Sequence, residues 1–343
     1  MTPGKIRQAR FRGTGSALLA ALLTVALVAA FASRAFWQEW RGVEVETAER
    51  GRLQANWLLE GTHDWARARL HDDALHNGAV DHSGEAWAQP VVNMPLDDFL
   101  AGRGATADQS SAAAKADTNV PATPLVSQQL SDAQGKMNVL NLLEGQALSP
   151  QWLLAFDKLF EVLKLAPDQL LTLSSNLRLA STTGSVTDAV STASAGTVMM
   201  PQHMSQLVWL GLAPATLEAL QAHVTLLPSR TPVNLNSASV QVLQSLLPSF
   251  QRTDAERIVA LRFSKPFKSV ADTGISDLQS EGQYSVSSRY FELHTEIRLG
   301  PASVAENALL QRDGINVRTL WRRRAVAAEN PPPTTTLALK QSP

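Results

Sequence analysis

The run SALLAALLTVALVAAFASRAF, Ser16–Phe36, decides how the rest of the chain is read. Ahead of it stand Lys5, Arg7, Arg10 and Arg12 with no acid among them, and after it comes a sequence of ordinary globular composition. The uninterrupted part, Ala17–Ser33, would span roughly 25 Å as a helix rising about 1.5 Å per residue. That is the short edge of what crosses a hydrocarbon layer of about 30 Å. With cations only on the leading side, the positive-inside rule keeps residues 1–13 in the cytoplasm and puts the body on the far side.

Three readings of this start are open. A cleaved secretory signal fits the basic leader, the apolar core and the small-x-small site Ala30-Phe31-Ala32. A plain membrane anchor fits the same residues. The third is a prepilin leader, with cleavage before the apolar run, for which Arg12-Gly13-Thr14-Gly15 followed by Ser-Ala-Leu-Leu is suited. The continuation favours the third. Helix formers persist to about Leu70, with Ala48, Leu53, Ala55, Trp57, Leu58, Leu59, Trp65 and Ala66 as an apolar stripe and Glu44, Glu46, Glu49, Arg50 and Arg52 as polar partners. Gly42, Gly51 and Gly61 each weaken a helix by about 1 kcal/mol relative to Ala, so the expectation is a bent or broken one.

The 343 residues allow one to three domains and a sizeable core. There is no cysteine, which removes disulfides, thiol chemistry and cysteine-based metal sites. A net charge of −1 argues against a protein that coats nucleic acid or a polybasic membrane protein.

Residues 37–100 continue the helix and then turn polar. His71, His76 and His82 beside Asp72, Asp73 and Asp81 match no helical ligand pair or cation loop, so no metal is expected there. Residues 101–130 are dominated by Ala, Ser, Thr, Gly, Gln, Asp and Pro and read as a disordered insertion. Ser181–Thr197 is a weaker one, and residues 325–343 form a tail of the same kind. Between them, residues 131–283 read as an all-helical domain. Ser149-Pro150 opens a helix with Leu153, Phe156, Leu159, Phe160 and Leu163 on one face, Pro167 opens another, and Pro214 a third bearing Leu217 and Leu220.

Within that domain, residues 233–264 read as two hairpin helices. Asn234 and Asn236 lie in Val233-Asn-Leu-Asn-Ser-Ala-Ser239, where Asn236 is placed to cap a helix carrying Val240, Leu243, Leu246 and Leu247. Thr253 and Glu256 form a capping box for the second helix, which Pro266 ends. The connection Leu-Pro-Ser-Phe-Gln-Arg has no glycine for amide approach to a phosphate, and Asp254 and Glu256 offset Arg252, Arg257 and Arg262. Structural use is the better reading and no nucleic acid is expected, with an exported competence-type DNA-binding protein as the alternative.

Residues 284–324 alternate as strands do, most clearly in Tyr290–Leu299, with turns at Gly300-Pro301 and Asp313-Gly314. They are expected to form an antiparallel sheet over the amino-terminal helix, which makes the helical middle an insertion. The fold class is α+β. No HExxH, GxSxG, P-loop, Rossmann glycine pattern or DxDxDG loop occurs, and His203, His223 and His294 stand singly. No catalytic residue, cofactor or metal is therefore assigned. A soluble periplasmic enzyme behind an ordinary signal peptide is the remaining rival.

In these residues the chain resembles the K-type minor pseudopilins of type II secretion, the general secretion pathway protein K family. The resemblance runs through the basic leader, Asp81 with Glu85-Ala-Trp-Ala88, Asp132-Ala-Gln-Gly-Lys-Met-Asn-Val-Leu-Asn141, Val233–Ala238, Pro266-Phe-Lys-Ser-Val-Ala-Asp272 and Ser288 with Tyr290-Phe291. It implies a pilin-like long helix on an antiparallel sheet, carrying a large helical insertion. It also implies a single-pass inner-membrane subunit with a periplasmic body, at the tip of a pseudopilus and partnered by I- and J-type minor pseudopilins and the major pseudopilin. Prepilin peptidase would cut between Gly15 and Ser16, or at the alternative Gly13 and Thr14.

Most pilins carry a glutamate at the fifth mature position to neutralise a neighbour's amine. Here that position is Ala20, or Leu18 for the other cut, and no acid occurs between Thr14 and Gln38. A carboxylate without a partner is costly in lipid, so its absence suits a subunit with no neighbour beyond it. The calcium of some relatives lies in an acid-rich loop. The corresponding Ser174–Thr197 holds only Asp188, so no calcium site is expected.

Overall fold

The computed structural model describes residues 14–77, 80–101, 123–183, 199–247, 249–275, 282–300 and 302–325. It opens with α1, Thr14–His76, a helix of 63 residues and so about 95 Å long. The expected break is not there, because runs of strong helix formers outweigh three isolated glycines. The helix is free at one end and packed at the other. From Ser16 to Arg50 every residue is exposed, and the apolar amino-terminal half is long and apolar enough to cross a membrane.

The packed half buries Ala55, Leu59, Thr62, His63, Ala66 and Leu70, spaced by three and four residues along one face. The expected stripe was therefore partly misassigned. Leu53 and Trp57 point to solvent, on the side of the helix away from the sheet.

After α1 come β1 (Val91–Pro95), α2 (Leu96–Leu100) and β2 (Leu125–Asp132). β2 corrects the reading of 101–130 as wholly disordered. Val126 and Leu130 alternate inward with Gln128, and the Ser and Gln content disguised the alternation. Residues 102–122 lie outside the described residues, as do 184–198 and 326–343.

The helical region follows with β3 (Met137–Asn138), β4 (Leu143–Glu144), β5 (Ala147–Leu148), α3 (Pro150–Val162), α4 (Pro167–Thr183), α5 (Pro214–Leu220), β6 (Val224–Thr225), β7 (Val233–Asn234), α6 (Val240–Leu246), α7 (Arg252–Ser264) and β8 (Tyr284–Ser285). It is not all-helical. Three two-residue ladders, β3 with β6, β4 with β5 and β7 with β8, tie its loops together. β8 pairs with β7 and so belongs with the helices rather than with the carboxy-terminal strands. One apolar core, including Phe156, Leu159, Phe160, Leu173, Leu207 and Leu243, unites this body.

The chain closes with β9 (Tyr290–Leu299), β10 (Ala302–Asp313) and β11 (Asn316–Ala325). The five-stranded antiparallel sheet has the order β1-β2-β9-β10-β11, so the whole helical body is inserted between two neighbouring strands. Three layers result: α1, the sheet and the insertion. Apolar clusters fill both gaps, with Leu59, Phe99, Val126, Ile297 and Val304, and then Leu70, Phe291, Leu293 and Leu310, beneath α1. Leu227, Tyr290 and Leu309 pack on the opposite side.

Between the two apolar clusters under α1 lies a polar layer. Gln128, Thr295 and Glu306 are cross-strand partners, and Thr62 and His63 of α1 lie over them. The Gln128 amide donates to the Thr62 carbonyl at 2.9 Å and to Thr295 Oγ1 at 3.2 Å. His63 Nε2 lies 3.4 Å from Glu306 Oε1. Burial pushes the imidazole down to about 4, helped by Arg322.

His63 is thus neutral in the folded chain while it would protonate near pH 6.5 when unfolded. At this site the folded state then binds fewer protons, so His63 contributes stability that rises with pH from about 4 to about 6.5. His63→Gln is expected to remove that rise, worth on the order of 3 kcal/mol across the window. Urea melts of both forms at several pH values check it.

Candidate functional site

The residues that join the three layers converge on one buried guanidinium. Arg312 stands on the phase of β10 that faces α1, two residues beyond Leu310. Its Nη1 lies 2.8 Å from Asp73 Oδ2 on α1, and its Nη2 2.6 and 2.5 Å from the two carboxylate oxygens of Asp81. Nη2 also donates to the Ser288 carbonyl at 3.0 Å, and the guanidinium lies over the Phe291 ring, 5.0 Å from its centroid. The Ser288 amide closes the loop by donating to Asp81 Oδ2 at 2.7 Å.

A second carboxylate, Asp132 at the end of β2, continues this network into the insertion. It accepts from the Gln134 amide at 2.8 Å, Asn234 Nδ2 at 2.8 Å and Ser288 Oγ at 2.7 Å, and from Ser237 Oγ. Asn234 Nδ2 also donates to the Asp81 carbonyl, and its Oδ1 accepts from the Asn236 amide. Burial raises the Asp132 carboxyl against these hydrogen bonds, and it raises Asp81 to about 6 against Arg312. Glu85 is raised to about 7, again by burial, while accepting from the His82 amide and from Trp87 Nε1 at 2.6 Å.

Asn234 and Asn236 are therefore brought into one site, but not as caps. Asn236 bridges to Phe267, donating to its carbonyl at 3.0 Å and accepting from its amide at 2.9 Å. Ser239 caps α6, its Oγ accepting from the Val242 amide. The expected Thr253–Glu256 box is also displaced. α7 begins at Arg252, the Gln251 amide donates to Asp254 Oδ2, and Glu256 pairs instead with Arg252. Both shifts move the cap toward the residue whose backbone is still extended just before the helix.

Asp73, Asp81 and Glu85 each bring a carboxylate oxygen within 4.8 Å of the others, and Arg312 lies among them. Of the histidines considered with them, His71 turns to the Ile315 carbonyl and His76 to that of Asp72, whereas His82 stays beside Glu85, its Nε2 3.9 Å from Oε1. Asp188 lies outside the described residues.

In the hairpin turn between α6 and α7, the Leu247 and Phe250 carbonyls accept from Lys158 Nζ at 2.8 and 2.6 Å. Arg262 donates to the Leu235 carbonyl and is pushed down to about 10 by burial. Of the three arginines weighed for nucleic acid, Arg262 is thus held by the fold and Arg252 is paired with Glu256.

At the other end of the molecule, α1 begins at Thr14 and Gly13 lies outside the described residues. Both candidate cleavage points thus sit at the first turn or just before it, and Leu18 and Ala20 are exposed on the apolar run. Sequence reasoning missed Arg312, Asp132, Ser237 and Ser288 as a unit. The available signal was two charges, Glu306 and Arg312, on the phase of β10 occupied inward by Val304, Ala308 and Leu310.

The fold, a long amino-terminal helix laid on an antiparallel sheet with a helical domain inserted between neighbouring strands, is that of a pilin-like protein. The family described as type II secretion system (T2SS), protein K, matches residues 233–287, which run from Asn234 and Asn236 to just before Ser288. Type II secretion system protein K of Pseudomonas aeruginosa is 25% identical over 321 residues, covering 87% of this chain and 88% of its own. Among solved structures, the crystal structure of the GspK–GspI–GspJ complex from the type 2 secretion system of enterotoxigenic Escherichia coli matches with a TM-score of 0.60 at 17% identity. That match covers 82% of this chain and 99% of the other. Together these findings make the chain similar to type II secretion protein K in sequence over most of its length, and similar in fold to the GspK complex.

Removing Arg312 would leave Asp73 and Asp81 buried without their counter-charge. Arg312→Leu is expected to destabilise by about 3–5 kcal/mol. Adding Asp81→Asn should restore part of that loss, and a double-mutant cycle in urea measures the coupling. At Gly135 an added Cβ would lie 2.8–3.0 Å from Ser237, backbone atoms included. Gly135→Ala is therefore expected to cost about 1–3 kcal/mol by overpacking, read from the same melts.

Proposed function

We propose that this chain is a non-enzymatic tip subunit of a type II secretion pseudopilus, starting or capping its assembly for export of folded proteins. The observation that carries this reading is the single helix α1, which runs without a break from an exposed apolar start into the core of the body. Such a helix is a membrane segment and a structural spine in one piece. A cleaved secretory signal ending near Ala32 would discard the apolar start and separate it from the packed half.

On this reading residues 1–13 lie in the cytoplasm, residues 16–36 span the inner membrane and the body stands in the periplasm. Prepilin peptidase removes the leader after Gly15, or after Gly13. Residues 37–100, 125–132 and 290–325 build the pilin-like part and residues 133–285 the insertion. The partners are I- and J-type minor pseudopilins, as in the Escherichia coli complex, with the major pseudopilin below. Ala20 at the fifth position supports the terminal place, since it offers no carboxylate for a further neighbour's amine.

The mature amino terminus tests the reading. Mass spectrometry of the membrane fraction should find a start at Ser16 or Thr14, with the apolar run retained, only when prepilin peptidase is present. A start near Ser33 in a soluble fraction would overturn it.

A further inference from the structure

We propose that the cleft between the outer face of the sheet and the helical insertion is a binding site for a neutral saccharide. The cleft lies on the side of the sheet away from α1 and has a volume of about 390 Å³. That is within the range of roughly 300–1,000 Å³ usual for small-molecule sites.

Register builds its floor. Gln129, His294, Asn307 and Arg323 are cross-strand partners on four successive strands, so they form one polar row across the sheet. Beside that row the half-buried Trp321 supplies an apolar wall, with the His203 ring edge-on to it at 5.3 Å and 81°. His203 Nδ1 is buried there without a hydrogen-bond partner among the described residues.

The chemistry of these groups selects the ligand. Gln129 and Asn307 on the floor, and Gln202 and Gln221 on the insertion side, are planar amides, each offering donors and an acceptor in one plane. His294 Nδ1 lies 2.6 Å from Asn307 Oδ1, so in the tautomer that donates there Nε2 is left as an acceptor. No hydrogen bond within the protein engages the side-chain amides of Gln129, Gln202 or Gln221 among the described residues. Neighbouring hydroxyls on a sugar ring present the same alternation of donor and acceptor, and the apolar face of a ring suits an indole.

Charge weighs against the alternatives. Lys136 and Glu292 neutralise each other at 2.7 Å, while Arg323 donates to the neutral Ser205 Oγ and keeps its charge. An anion would thus meet a single guanidinium at one end of the row, and inorganic phosphate is the competitor that tests it. An apolar ligand would strip water from the polar row without replacing its hydrogen bonds.

The test uses the full chain in an amine-oxide detergent, which has no sugar headgroup. Saturation-transfer NMR is run with maltotriose, cellotriose and chitotriose, and each signal is titrated to saturation. At least one of the three is expected to bind saturably. Asn307→Ala and Gln129→Ala, both at exposed positions, are expected to weaken that binding about tenfold or more with the melting temperature unchanged. Absence of saturable binding by all three would overturn the proposal. So would affinity unchanged in both variants, or competitive displacement by inorganic phosphate.

Discussion

One guanidinium holds together parts of the chain that are far apart in sequence. Arg312 reaches Asp73 on the helix, Asp81 in the loop after it and Ser288 just before β9. An ammonium could meet one of these as a point charge. The planar fork of arginine meets several at fixed angles while its face rests on Phe291. Buried charges of this kind add little net stability over an apolar packing of the same shape, but they penalise any arrangement that separates them. The cluster therefore acts on specificity. It fixes how the end of α1, the edge of the insertion and the sheet sit against one another.

The polar layer under α1 acts in the same way along the helix axis. Two apolar clusters alone would tolerate a slide of α1 by one turn, since leucine and alanine recur on that face. Thr62 and His63 over Gln128, Thr295 and Glu306 make such a slide costly, because it would set buried polar groups against leucines. The register of the helix on the sheet is thereby set, and with it the height of the apolar half relative to the body. On the proposed function, a subunit anchored in a bilayer and built into a filament needs that height to be single-valued.

The sequence displayed the long elements well. Tyr290–Leu299 alternates because one face of β9 is apolar, and the prolines at 150, 167 and 214 mark helix starts because only a first turn tolerates them. It hid β2, whose inward positions include Gln128 and whose outward ones are Ser and Gln, a composition shared with linkers. The continuity of α1 was obscured by three glycines whose penalties are small beside the packing of its second half. The small ladders of the insertion could not be seen, since two residues carry no periodicity. The junction was hidden for a different reason. Asp73, Asp81, Asp132 and Arg312 are spread over the chain, and only the strand order brings them together.

The asparagine motif shows why local reading placed the right residues in the wrong role. Asn before a helix is a good cap, and Asn236 lies just ahead of α6. But a buried side-chain amide has more donors and acceptors than a cap uses, and leaving them unmet is costly. Ser239, with a single hydroxyl, can cap α6 alone. That frees Asn234 for Asp132, Asp81 and Ser288, and Asn236 for the two backbone groups of Phe267. The hairpin is thus held at both ends, with Lys158 on the connecting turn and Arg262 on the Leu235 carbonyl ahead of α6. A unit shaped like a nucleic-acid hairpin has two of its turn carbonyls and one of its arginines committed to the protein. It serves here as the clasp that fastens the insertion to the sheet.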